Sequence, residues 1–166
     1  MFRIIQDFLG SWTYENEATV KVFSKLTDES LGQRVGPDGR TLGRIAWHIT
    51  QTLPEMCGRT GLDVVGPGED EAIPESAEEI TARFKEAADS LAEQILTRWT
   101  DADLEVEDEL YGERWKRGRT LGALVNHQIH HRGQMTVLMR QAGLEVPGVY
   151  GPAKEEWGAY GMPTQE

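Results

Sequence analysis

The sequence is nearly without cysteine: Cys57 is the only one among 166 residues. A lone thiol excludes an intramolecular disulfide and any cysteine-rich zinc site. Cys57 itself reads as a small buried hydrophobe rather than a nucleophile. Long apolar runs are missing too. No stretch approaches the roughly 20 apolar residues that span a bilayer, and Met1 to Asp7 does not open an apolar segment with a small-residue cleavage site. A soluble, cytoplasmic protein with no membrane partner is therefore expected. Positive charge is scarce, since 17 basic against 28 acidic side chains leave a net charge of −11, which repels a phosphate backbone unless basic groups cluster. The compact cluster from Arg114 to Arg119 is diluted by Glu113 and by the acidic run Asp101 to Glu109. It reads as a solvated loop, and no nucleic-acid partner is expected.

What remains is enough for one domain spanning residues 1–166, with 39% apolar residues and five tryptophans to build its core. Four segments carry a helical apolar period. The first runs from about Phe2 to Leu26 through Ile5, Phe8, Leu9, Trp12, Val20 and Phe23. The second starts behind Thr41, a suitable N-cap, and aligns Leu42, Ile45, Ile49, Leu53 and Met56 before Gly58 and Gly61. Pro54 inside it predicts a kink or break. After an aperiodic loop from Gly61 to Pro74, Ser76-Ala-Glu-Glu79 has capping-box spacing and opens a third helix that reaches Trp99. Residues 101–118 alternate in polarity, with Gly112 able to support a turn, so a long crossover with short strand character is expected. The fourth helix runs from about Thr120 to Gln141 and stops at Gly143. Four such stripes bury most simply in an all-α antiparallel four-helix bundle with crossover connections. The aromatic tail over residues 146–166 is expected to pack on it as an ordered extension.

Histidine is also rare, yet three of the four lie within five residues, His127, His130 and His131. At about 100° per residue, His127 and His131 are one turn apart on the flank of the apolar stripe and can converge on one metal ion, whereas His130 points roughly opposite. A third ligand should come from another helix. His48 sits beside Ile45 and Ile49 at the edge of the second helix's stripe, so two helices can form a three-histidine site. Three neutral imidazoles leave a coordination position for water or substrate, as a catalytic site requires.

Three segments together resemble the DinB-like (DinB/YfiT-like) family of metal-dependent four-helix bundles. They are Thr41-Leu-Gly-Arg-Ile-Ala-Trp-His48-Ile49, His127-Gln-Ile-His-His131-Arg-Gly-Gln134, and the tail from Tyr150 to Met162 with Trp157 at its centre. The resemblance covers nearly the whole chain. It implies a divalent metal, nickel or zinc, held by His48, His127 and His131, and a homodimer. It also implies a small-molecule substrate, with a low-molecular-weight thiol as co-substrate in an S-transfer or thiol-assisted isomerisation. A metal-dependent hydrolase using metal-bound hydroxide, and a non-enzymatic stress-related metal-binding bundle, are the alternatives.

Two other metal chemistries fail on particular residues. The spacing of His127 and His131 is that of a zinc protease motif, but Gln128 stands where the general-base glutamate belongs, and an amide cannot accept that proton. A di-iron bundle needs Glu-x-x-His pairs, which none of these histidines has. Glu15 and Glu55 are candidate pocket carboxylates, each read first as a surface group. Arg132 reads as an anchor to a neighbouring helix, and Gln134 as a hydrogen-bond partner of a ligand histidine. No catalytic residue is assigned.

Overall fold

The computed structural model describes residues 1–164. The elements are α1 (Ile5–Phe23), a 3-10 turn (Asp28–Gly32), α2 (Leu42–Gly58), α3 (Ala77–Arg98), a second 3-10 turn (Asp101–Glu105), β1 (Glu107–Leu110), β2 (Glu113–Lys116), α4 (Arg117–Gln141) and a third 3-10 turn (Trp157–Tyr160). Helices α1 and α2 each pack against both α3 and α4. The chain therefore crosses the bundle from α1 to α2 and again from α3 to α4. This is an all-α four-helix bundle with crossover connections.

The helices form where one face can be buried. In α1 the buried positions Ile5, Phe8, Trp12, Glu15, Thr19 and Val22 alternate spacings of three and four, so two polar residues share the inward stripe. Trp12 crosses to α3 and donates its indole N–H to the Ala88 carbonyl at 3.1 Å. Phe23 meets Phe84 with ring centroids 5.2 Å apart. In α2 the stripe Leu42, Ile45, Ala46, Ile49, Leu53 and Met56 is buried as the periodicity requires. The helix passes through Pro54 without ending. The proline ring becomes a contact surface for the following loop, where a Cβ at Gly66 would lie 3.0 Å from its Cγ.

Helix ends follow local chemistry. Thr41 caps α2 by accepting from the Arg44 N–H. At Ser76 only half of the expected box forms, the hydroxyl accepting from the Glu79 N–H. Helix α1 begins at Ile5, later than its apolar pattern suggests, because its first free N–H is met by Asp101 Oδ1 at 2.8 Å. Helix α4 begins at Arg117, earlier than expected, because strand β2 feeds straight into it and the Arg117 N–H bonds the Val106 carbonyl. Glycine is required one residue on. A Cβ at Gly118 would sit 2.0 Å from the Phe2 carbonyl oxygen.

The crossover segment 101–118 contains a two-stranded antiparallel hairpin, pairing Glu107 with Lys116 and Leu110 with Glu113. Its tip is Tyr111-Gly112, with φ of 55° and 80°. The basic cluster read as a solvated loop is in fact strand β2 and the first turn of α4. Its cations are paired: Arg114 with Glu107, Lys116 with Glu105, Arg117 with Asp108 and Arg119 with Glu113. The loop between α2 and α3 is tied down on α2, since Trp47 Nε1 donates to the Glu71 carbonyl and Gln51 Nε2 to the Gly68 carbonyl. In the tail, Tyr14 donates to the Val149 carbonyl and its ring stacks on Tyr150 at 5.9 Å. Residues 165 and 166 of the expected extension lie outside the described residues. Among the described residues, no helix is long and apolar enough to cross a membrane.

Candidate metal centre

His48 on α2 and His127 and His131 on α4 face one another across the contact between the two helices. One nitrogen from each ring lies within 4.8 Å of the other two. The His127 and His48 Nε2 atoms are 3.1 Å apart, close to the roughly 3.3 Å edge of a tetrahedron whose metal–nitrogen bonds are 2.0–2.1 Å. The three rings meet edge to face, with centroids separated by 4.4 to 4.9 Å. The triad is able to coordinate a divalent ion.

The protonation states suit that task. Burial, then repulsion from His131 when it is protonated and from Arg40 and Arg44, push the His48 pKa down to about 4. Burial and the neighbouring histidines do the same for His127, also to about 4. His131 is lowered as well, mainly by burial. All three are therefore neutral near pH 7, and a neutral imidazole is the form that binds a metal. The Nδ1 of His131 lies 2.7 Å from Gln134 Oε1. An amide oxygen only accepts, so the proton is assigned to Nδ1 and the Nε2 lone pair is left for a ligand bond.

His130 is exposed, yet it does not project opposite the site. Its ring centroid lies 5.0 Å from that of His131, and Gln134 Nε2 donates to its Nε2 at 3.1 Å. The bridge through Gln134 holds it beside the triad and outside it. The two carboxylates separate in the reverse of a uniform surface role. Glu15 is buried outside the histidine group and pairs with Arg132, Nη2 to Oε2 at 2.5 Å, while accepting from the Tyr150 hydroxyl at 2.7 Å. Arg132 is thus the anchor between α4 and α1 that its position suggests. Gln128 joins it, donating to the Glu15 carbonyl and to Thr19 Oγ1.

Glu55, by contrast, lines a cavity of about 460 Å³ whose wall includes His48 and His127. Gln51, Thr52 and Glu55 follow His48 at helical spacings of three, four and seven, which could have placed them on the same face from the sequence. Tyr111 and Glu69 also line it and arrive from the hairpin and the α2–α3 loop. No pattern in the sequence announces them. Arg44 belongs to the same lining and reaches Gln51 Oε1 at 3.3 Å. A slightly larger hollow of about 510 Å³, between Phe23 and Thr81, carries no histidine.

Comparison with known proteins bears on the family and the fold. The profile of the DinB family matches residues 1–165. YrdA of Bacillus subtilis (strain 168) is 45% identical over 162 residues, covering 98% of this chain and 97% of its own. A DinB-like protein from Bacillus cereus ATCC 10987 has a crystal structure that superposes with a TM-score of 0.87 at 47% identity, over 90% of this chain and 100% of that one. A second solved DinB-like protein, YjoA of Bacillus subtilis, shares the fold at a TM-score of 0.61 and 18% identity, over 89% of this chain and 98% of its own.

Proposed function

The chain belongs to the DinB family, and from that premise we propose that it is a metal-dependent enzyme in which His48, His127 and His131 hold a divalent ion, nickel or zinc, for thiol-dependent S-transfer or isomerisation. The observation that carries this reading is the convergence of three neutral imidazoles, two of which, His48 and His127, line an open cavity. A donor set without carboxylate or thiolate leaves the ion's two positive charges uncompensated, and Arg40 and Arg44 add to them. Such a site favours an anionic ligand. A divalent ion bound there supplies Lewis acidity, which lowers the pKa of a thiol and makes its thiolate available near neutral pH.

The chain's own groups divide the remaining work. Gln134 holds the His131 proton at Nδ1, and burial keeps His48 and His127 deprotonated. Cys57 takes no part. It is fully buried, and burial pushes its thiol up to about 12, so a reacting thiol must come from outside. The cavity, about 460 Å³, admits a small molecule.

The test is turnover of a model electrophile with a panel of small thiols before and after chelation. Activity that disappears on metal removal and returns with nickel or zinc is the expected result. Metal-dependent cleavage of esters or amides without any thiol would replace this reading with a hydrolase. A melting temperature that falls on chelation, without metal-dependent turnover of any kind, would reduce the ion to a structural stabiliser.

A further inference from the structure

The hairpin tip presents a residue that its backbone does not favour. Tyr111 adopts φ 55°, followed by Gly112 at 80°. Two-residue hairpin turns with both φ values positive favour Asn-Gly or Asp-Gly, because a Cβ is crowded in the left-handed region and short polar side chains tolerate it best. Burial does not account for the tyrosine, whose side chain belongs to a residue 53% exposed. A disfavoured backbone retained without burial points to work done by the side chain. Its hydroxyl donates to Glu55 Oε2 at 2.8 Å, and its ring lies under the Arg59 guanidinium at 5.2 Å. Burial and the Glu55 carboxylate raise its pKa, so the phenol keeps its proton.

Glu55 and Tyr111 share the cavity with His48 and His127. His48 and Glu55 are seven residues apart on α2, about 10 Å along the axis at 1.5 Å per residue. The charged residues on the cavity wall are Arg44, Glu55 and Glu69, and Gln51 meets both the Arg44 guanidinium and the Glu69 carbonyl. A carboxylate offers about four lone-pair sites. Tyr111 occupies one and Arg59 Nε, at 2.8 Å from Oε1, another, so two remain for a ligand.

We infer that Glu55 and Tyr111 form a specificity subsite that takes a cationic hydrogen-bond donor, an ammonium group, at the end of the substrate remote from the histidines. The subsite rests on the proposed metal and thiol chemistry only in that the substrate's other end is a thiol held at the triad. The tyrosine hydroxyl and the carboxylate face the ammonium together, and the hairpin brings the former across the bundle to the latter.

The experiment uses the full chain loaded with Co²⁺, whose sulfur charge-transfer absorption reports thiol binding. The probes are 2-mercaptoethanol and two linear thiols whose terminal group, ammonium or carboxylate, lies about 10 Å from sulfur. The expected preference for the ammonium thiol over the carboxylate thiol is about tenfold or more, the factor of one charge-assisted hydrogen bond. Glu55→Gln and Tyr111→Phe should each bring that ratio towards one, while Glu93→Gln, on the exposed face of α3, leaves it unchanged. Tyr111→Asn should abolish the preference while holding or raising the melting temperature, because it suits the turn. A tyrosine that only anchors the hairpin would give the opposite pair, a lower melting temperature and an intact ratio. If 2-mercaptoethanol leaves the cobalt spectrum untouched, the thiol chemistry fails and the subsite as stated falls with it. If it binds but wild type shows no preference, or Glu55→Gln retains one, the subsite alone is wrong.

Discussion

Replacing any one of His48, His127 or His131 by alanine should lower metal affinity by more than the roughly 10- to 100-fold that follows loss of an outer hydrogen-bond partner. Each supplies one of three nitrogens that converge within 4.8 Å, and two imidazoles on their own do not complete a site. Gln134→Ala should fall in that 10- to 100-fold range, because it frees the His131 ring without removing its lone pair. His130→Ala should leave metal content unchanged even though its ring stands only 5.0 Å from that of His131. Metal content per chain after dialysis against a buffered ion reads all five variants. Equal losses in the three triad variants and in His130→Ala would refute the assignment of ligands.

A comparably large effect is expected at the anchor between α1 and α4. Glu15→Ala leaves the Arg132 guanidinium, 2% exposed, without its carboxylate. Breaking a buried ion pair from one side costs about 3–5 kcal/mol, because the surviving charge stays desolvated. For a chain of this size that is a fall in melting temperature of roughly 6–20 °C. The double variant Glu15→Leu, Arg132→Met should recover much of the loss, since an apolar pair of similar volume removes both charges. Thermal unfolding followed by circular dichroism is sufficient. A single variant within about 0.5 kcal/mol of wild type, the range of an ordinary surface change, would mean that the pair is not buried in solution.

Of these two regions, the sequence was informative about the histidines and silent about the buried ion pair. His48, His127 and His131 were legible because each lies at the edge of an apolar stripe, and helical periodicity converts sequence spacing into a common face. Thr41 as a cap was legible for the same local reason. Glu15 was not, although it occupies a stripe position three residues after Trp12. The partner that makes its burial tolerable, Arg132, is 117 residues away, and no pattern within α1 reveals it. His130 was misplaced because helical angles locate a Cα, whereas its ring is swung back towards His131 by the bond from Gln134. Tyr111 escaped notice as a cavity residue because its position depends on how the hairpin folds across the bundle. That is a tertiary fact without a local signature.

The early start of α4 and the late start of α1 have one physical origin. Both ends find their backbone partners in the segment between α3 and α4, Asp101 for Ile5 and Val106 for Arg117. Apolar periodicity counts neither bond. The same segment carries the acidic run that seemed to dilute a basic cluster, and its carboxylates instead pair with those cations one by one. Charge balance was therefore readable from composition, and its arrangement only from the fold.

In the proposed centre three imidazoles hold a divalent ion with a position open to a thiol. X-ray absorption at the metal edge, on the purified protein with and without 2-mercaptoethanol, addresses it most directly. The expected spectrum without thiol fits three imidazole nitrogens at about 2.0–2.1 Å with the remaining ligands light atoms, and the thiol adds one sulfur at about 2.3 Å. A first shell lacking imidazole, or one that an excess of thiol leaves unchanged, would contradict it.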